Sequence, residues 1–131
     1  MIGYGNTLRG DDGAGIHAVQ MIAGEHPTID CLALTELTPD LAETLSHYDN
    51  VLFVDASVTA QGLRWKTISP PVKRSATRSH ALSPESLVGL SIELYDRCPQ
   101  SIALVEIPAQ QFDFGEKLSP LTRLMMQRFV K

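Results

Sequence analysis

The sequence predicts an α/β domain whose central sheet is mostly parallel and has about five strands. Two observations carry this prediction. Short apolar runs alternate with amphipathic stretches of helical spacing, and the run Val51–Val54 is apolar at every position, as in a strand covered by helices on both faces. The chain has 131 residues, and hydrophobic cores divide only beyond about 250 residues. We therefore expect a single domain over residues 1–131.

Four elements are predicted before the central strand. A very short strand, Met1–Gly3, runs into a glycine-rich turn, and a helix follows over about Asp12–Ala23. The next strand is predicted at Ile29–Leu34. Thr38 followed by Pro39 predicts the start of a short helix, because a hydroxyl side chain commonly caps a helix whose first residue is proline. The predicted buried face of the first helix consists of Ile16, Val19, Ile22 and Ala23.

The central strand is predicted to end at Asp55, and five segments follow it. Leu63–Ser69 alternates apolar and polar residues, which predicts an edge strand, and Pro70–Thr77 is predicted to be an exposed loop. A helix from Ser83 to near Tyr95 precedes a strand at Ile102–Ile107, and Ser119 and Pro120 open a last helix. The predicted buried faces are Leu87, Leu90, Ser91 and Leu94 in the first of these helices and Leu121, Leu124, Met125 and Phe129 in the second.

Composition argues against several classes of protein. The balance of 11 Lys+Arg against 15 Asp+Glu gives a net charge of −4, which disfavours nucleic-acid binding. Uncharged apolar runs such as Ile102–Val105 are far shorter than the roughly 20 residues that cross a bilayer, so no membrane segment is expected. Met1 leads into glycines and acids rather than a basic and apolar leader, which predicts a cytoplasmic protein. Cys31 and Cys98 form no C-x-x-C pattern, so neither a disulfide framework nor a cysteine zinc site is expected.

The glycine-rich turn Gly3–Gly15 is the most informative segment. It lacks the lysine of a P-loop, since no lysine precedes Lys66, and Leu8 occupies the third glycine position of the dinucleotide fingerprint. The turn instead brings Asp11 and Asp12 to the start of a helix. In one interpretation Asp11 caps this helix and Asp12 complements its dipole. The number of glycines favours another, in which the backbone lies close to a ligand or a second segment.

Two further residues could join Asp12 in a ligand set. Asp55 follows a predicted central parallel strand, where open α/β sheets place ligand crevices, although Asp is also a common turn former. His80 lies between a basic loop and a helix cap, a setting that also fits an ordinary loop residue. The other histidines, His17, His26 and His47, are predicted to be surface residues. Two carboxylates and an imidazole would form a three-ligand site with open positions, suited to nickel or zinc. A Ser-His-Asp triad fits less well, because no G-x-S-x-G elbow is present.

Three segments, taken in order, are similar to one known family. They read G-x-G-N-x-L-x-G-D-D-G-x-G at the amino end, V-L-F-V-D-A in the middle, and a His shortly before L-S-P-E-S-L. Together they resemble the hydrogenase maturation proteases, endopeptidases that trim the C-terminal extension of the large subunit of [NiFe] hydrogenases. The resemblance covers nearly the whole chain. It implies a three-layer α/β/α sandwich around a twisted, mostly parallel sheet of about five strands.

The resemblance also implies a site, a metal and a partner. The family's metal-binding positions fall on Asp12, Asp55 and His80, which would be both ligands and catalytic residues. The nickel would be held by the large-subunit precursor, which a monomeric protease recognises before cutting, and no organic cofactor is expected. Two departures stand out: the first strand is shorter than in most relatives, and Leu34–Leu37 replaces their D-G-G-T segment. The second departure affects the loop that would line one side of the substrate cleft, and it predicts a subgroup with a different hydrogenase partner.

Two alternative functions remain open on the sequence alone. Peptidyl-tRNA hydrolases also begin with G-x-G-N and have a similar fold, but their catalytic His in an R-H-N segment is absent here, and the acidic charge disfavours a tRNA partner. The other alternative is a metal-dependent binding module that accompanies the large subunit without cutting it.

Overall fold

A five-stranded sheet with helices on both faces forms in the residues that the computed structural model describes, 1–70 and 82–131. The elements are β1 (Ile2–Tyr4), α1 (Ala14–Glu25), β2 (Leu32–Leu34), α2 (Leu41–Ser46), β3 (Asn50–Ser57), β4 (Arg64–Thr67), α3 (Pro84–Tyr95), β5 (Ser101–Pro108) and α4 (Pro120–Val130). A turn of 3-10 helix, Gly10–Gly13, leads directly into α1. Most of the loop predicted at Pro70–Thr77, and His80, lie outside the described residues.

The order of the strands reverses at one point in the sheet. The strands lie in the order β2-β1-β3-β5-β4, and every neighbouring pair is parallel except β4 and β5. From β1 the chain passes through α1 to β2 on one side, and then crosses through α2 to β3 on the other side of β1. Open α/β sheets bind their ligands at such a reversal, outside the carboxyl ends of the strands. The reversal here lies between β1 and β3, and we call the region outside the carboxyl ends of these two strands the crevice.

The helices form one layer on each face of the sheet. Val54 and Val105 point toward α1 and α4, where they pack with Met126, while Phe53 points to the opposite face, toward α2 and α3. This alternation follows from the two-residue period of a strand. The predicted three-layer α/β fold is thereby confirmed. In the described part of the chain, no helix combines the length and the apolar character that a membrane span requires.

Several element boundaries differ from the predictions. Helix α1 begins at Ala14 rather than Asp12, because Gly10–Gly13 forms the 3-10 turn, and Ala23 is exposed rather than buried. The second strand covers only Leu32–Leu34. Helix α2 has no side-chain cap, so the cap predicted at Thr38 is wrong. The backbone carbonyl of Thr38 nevertheless accepts the amide of Leu41 at 3.1 Å. The edge strand predicted around Trp65 is confirmed as β4.

The buried faces of α3 and α4 also differ from the predictions. Ser83 and Ser119 do cap these helices, accepting the amides of Ser86 and Thr122. In α3, however, the predicted Leu94 is exposed. In α4 the fully buried positions are Thr122, Met126 and Val130, while the predicted Met125 and Phe129 are half-buried against the core and the predicted Leu124 is exposed. The buried face carries a polar contact that helical periodicity does not reveal: the Thr122 hydroxyl donates to the carbonyl of Pro108 at 2.7 Å.

A glycine at the start of α1 allows the helix to lie against the sheet. A Cβ on Gly15 would collide with the carbonyl oxygen of Val54 in β3, whereas a Cβ on Gly24 in the same helix would meet nothing. We expect Gly15→Ala to lower the free energy of unfolding by about 1–3 kcal/mol or more, as overpacking does. Gly24→Ala should leave it unchanged or raise it by up to about 1 kcal/mol, because Ala has the higher helix propensity. Urea denaturation of both variants checks this, and equal stability of the two would contradict the close approach.

Candidate functional site

Asp12 lies at the crevice, on the 3-10 turn after β1. Its Oδ2 accepts the backbone amide of Asn6 at 2.7 Å, which holds the half-buried carboxylate against the carboxyl end of β1. Gly5 makes this position possible: it has a φ of +140°, and a Cβ there would collide with the carbonyl oxygen of Asp12. The G-x-G-N motif therefore shapes the backbone around a carboxylate, as the interpretation of a close approach predicted.

Asp55 lies on the other side of the same reversal, in β3. The strand continues to Ser57, so the predicted end of the strand at Asp55 is wrong, and Asp55 lies just inside the carboxyl end of β3. Its Oδ1 accepts the amide of Ala56 at 2.8 Å, and the Tyr4 hydroxyl lies near the same carboxylate. Burial raises the pKa of Asp55 to about 6, and the negative charge of Asp12 adds to the rise. The two carboxylates thus lie close enough to repel each other, a repulsion that a bound cation would relieve.

Glu106 extends this polar row across the sheet. Parallel register pairs it with Asp55, so both side chains point to the same face. Burial would raise the pKa of Glu106, but hydrogen bonds from Arg64 at 3.0 Å and Lys66 at 2.8 Å, both in β4, lower it to about 2. This carboxylate is therefore ionised and already paired. Glu106 is not among the site residues predicted from the sequence, although a single acid inside the apolar run Ile102–Ile107 is a signal that could have revealed it.

Asp11 does not have the capping role that one of the two interpretations of the glycine-rich turn gave it. It does not cap α1, whose N-cap is Gly13, but extends away from α1 and is fully buried. Its carboxylate accepts the amides of Gln110, Gln111 and Ser119 at 2.6–3.0 Å and the Ser119 hydroxyl at 2.7 Å. Burial opposes ionisation, yet these hydrogen bonds lower the pKa of Asp11. Asp11 therefore ties the loop of Asp12 to the β5–α4 connection.

Of the four histidines, one lies outside the described residues, and the exposure of the other three can be compared with the predictions. His80, the third predicted ligand, lies outside the described residues, so its relation to Asp12 and Asp55 stays a prediction. His26 and His47 are exposed as predicted, but His17 is half-buried, and its Nε2 is shielded without a hydrogen-bond partner among the described residues. Within 1–70 and 82–131, no three His, Cys, Asp or Glu side chains are grouped to hold a metal ion.

Comparison with solved structures identifies the class of fold. No family model matches the chain, and no curated protein matches it. The structure is similar to the [NiFe] hydrogenase maturation protease HycI from Thermococcus kodakarensis, with 22% identity, a TM-score of 0.70, and coverage of 98% of this chain and 85% of that one. It is similar to the hydrogenase 2 maturation peptidase of a Thaumarchaeota archaeon, with 19% identity, a TM-score of 0.70, and coverage of 98% and 90%.

A third solved structure, from a bacterium, has the same architecture. The hydrogenase maturating endopeptidase HybD from E. coli is 17% identical, with a TM-score of 0.65, and the match covers 98% of this chain and 85% of that one. The chain therefore has the fold of the hydrogenase maturation endopeptidases, the family that its motifs resemble.

Proposed function

We propose that the protein is an endopeptidase that removes the C-terminal extension of a [NiFe] hydrogenase large-subunit precursor after nickel insertion. One observation carries the proposal: two carboxylates, Asp12 and Asp55, lie on either side of the strand reversal between β1 and β3. The fold supports it, because solved structures with this architecture are named as hydrogenase maturation proteases in archaea and in E. coli. A fold alone does not define a reaction, so the proposal depends on the residues of the site.

In this proposal Asp12, Asp55 and His80 contact the nickel that the precursor already holds. Mixed oxygen and nitrogen ligands suit a borderline ion such as nickel better than magnesium or calcium. Three protein ligands leave coordination positions open, unlike the closed four-ligand sites that hold a metal permanently. We therefore expect weak affinity for the free ion, with the precursor supplying both the metal and further ligands.

The surrounding residues hold the two carboxylates in place. The amide of Asn6 orients Asp12, and the amide of Ala56 orients Asp55. A carboxylate whose pKa lies near 6 can accept a proton close to neutral pH, which suits one of the pair to a role as general base. Nickel, when bound, supplies Lewis-acid polarisation of an oxygen atom.

The proposal predicts that cleavage depends on nickel. Precursor that lacks nickel should be left uncut even at high protease concentration, because the three ligands then have no ion to engage. Nickel-loaded and nickel-free precursor are incubated with the protein, and mass spectrometry of the precursor's carboxyl terminus measures cleavage. Equal cleavage of both would contradict the dependence on nickel. A stable complex without shortening would instead favour a binding module.

The proposal also includes the setting of the reaction. We propose that the protein acts as a monomer in the cytoplasm, with a protein substrate and no nucleic-acid partner. The net charge of −4 supports the last point, because nucleic acids attract basic surfaces. Size-exclusion chromatography with light scattering tests the monomer, and a stable dimer would contradict it.

A further inference from the structure

Exposed apolar side chains collect on the loops around the crevice. Leu8 follows β1, Val58 follows β3, and Phe112 and Phe114 follow β5, so all four lie on loops at the carboxyl edge of the parallel strands. Phe114 and Val58, at 85% and 70%, are the most exposed large apolar side chains in residues 1–70 and 82–131. We call these four residues the apolar rim. Apolar side chains that are exposed together on neighbouring loops can form a patch of the kind that contacts another protein.

Hydrogen bonds tie the loops of the apolar rim to one another. The amide of Gly115 donates to the carbonyl of Leu8 at 2.7 Å, and the amide of Gly10 donates back to the carbonyl of Gly115 at 2.8 Å. The Asp11 carboxylate bonds the same two loops together. The rim therefore rests on fixed backbone, and holding these side chains ready lowers the entropic cost of binding.

Val58 is fixed by a second network. The Arg64 guanidinium donates to the hydroxyl oxygens of Ser57 at 3.2 Å and Thr59 at 2.8 Å, which flank Val58 on both sides. The amide of Ala109 donates to the carbonyl of Ser57 at 2.9 Å, which connects this loop to the one after β5. The side chain of Val58 is therefore exposed, although the residues on both sides of it form hydrogen bonds.

We propose that the apolar rim is the surface on which the large-subunit precursor docks around its nickel, an inference that rests on the proposed function. The rim and the two carboxylates share one edge of the sheet. Because Asp12 and Asp55 are half-buried, they can reach a metal held inside another protein only if the two surfaces meet around the crevice. The partner is therefore a protein with an apolar surface beside its metal. A second copy of this chain on the rim would cover the same edge and block access.

The test compares rim variants with a matched control. The double variant Val58→Ser with Phe114→Ser removes the two most exposed rim side chains, and Leu94→Ser removes a side chain that is 57% exposed on α3, close to where β5 begins at the opposite edge. With nickel-loaded precursor, we expect the double variant to raise KM about tenfold or more, since side chains at interface centres commonly contribute this much. The kcat and the melting temperature of the double variant should match those of the wild type. Leu94→Ser should change neither KM nor kcat.

Binding to immobilised precursor is measured in parallel, so the inference can be judged without cleavage. Weaker binding of the double variant, with normal binding of Leu94→Ser, supports the docking surface even if no protein cuts the precursor, a result that would contradict only the proposed function. Unchanged KM and unchanged binding in the double variant would overturn the docking surface and leave the proposed function standing. A wild-type dimer that the double variant abolishes would assign the rim to a second copy and would also overturn it.

Discussion

Asp55→Asn is expected to abolish cleavage of nickel-loaded precursor while the protein stays folded. Asn keeps the size of the side chain and can still accept the amide of Ala56, but it loses the negative charge that a divalent cation requires of a carboxylate ligand. Precursor cleavage and thermal unfolding are measured on the same preparation. A variant that cuts normally would remove Asp55 from the mechanism.

The same variant is expected to be more stable than the wild type at neutral pH. The Asp55 pKa of about 6 in the folded protein lies above its ordinary value of 3.8, so the folded state binds the proton more tightly than the unfolded state. The cost of ionising Asp55 is absent below about pH 4, grows between pH 4 and 6, and is fully present above pH 6. The difference in pKa corresponds to roughly 3 kcal/mol.

Urea denaturation between pH 4 and 8 checks this expectation. The free energy of unfolding of Asp55→Asn, minus that of the wild type, should increase from pH 4 to pH 6 and then stay constant, with a rise of roughly 1–3 kcal/mol. A difference that falls as the pH rises would identify Asp55 as a carboxylate that stabilises the fold. That result would count against a site where charge is held at a cost to stability.

Asp11→Asn is expected to cause a large loss of stability, the opposite of the change in stability expected for Asp55→Asn. The buried carboxylate of Asp11 accepts hydrogen bonds from Gln110, Gln111 and Ser119. An amide has one acceptor oxygen, and its NH2 group would face some of these donors. Each buried donor left unsatisfied costs about 1–3 kcal/mol, so the variant should lose roughly 2–4 kcal/mol of unfolding free energy. The loss is a large fraction of the stability of a small domain, about 5–15 kcal/mol.

The neighbouring residue provides a matched control for Asp11. Asp12→Asn changes the same functional group one position away, where the carboxylate is half-buried and accepts one amide, that of Asn6. We expect it to change the free energy of unfolding by less than about 1 kcal/mol and to abolish precursor cleavage. Chemical denaturation and the cleavage assay separate the two variants. If Asp11→Asn were as stable as Asp12→Asn, the buried hydrogen bonds would not hold the two loops together.

Much of the fold follows from local patterns in the sequence. An apolar run identified the strand at Val51–Val54, and an alternating pattern identified the strand around Trp65. The Ser-Pro pairs identified the starts of α3 and α4. These features depend on residues within a turn of one another, or on which face of one strand is covered, and so they can be recognised in a single sequence. The G-x-G-N motif and the position of Asp55 indicated the edge of the sheet where Asp12 and Asp55 meet.

Only the tertiary structure decided which partners each acidic side chain has. Asp11 and Asp12 are adjacent and chemically identical, but Asp11 bonds to groups 99 to 108 residues away, and Asp12 faces the crevice. Glu106 lies beside Asp55 only because β5 pairs with β3 in this register, and two cations from β4 then neutralise it. The inward face of α4 includes Thr122, whose hydroxyl donates to the carbonyl of Pro108 outside the helix. Helix periodicity and capping are local, whereas partners that satisfy a buried charge come from wherever the folded chain places them, and no local pattern records them.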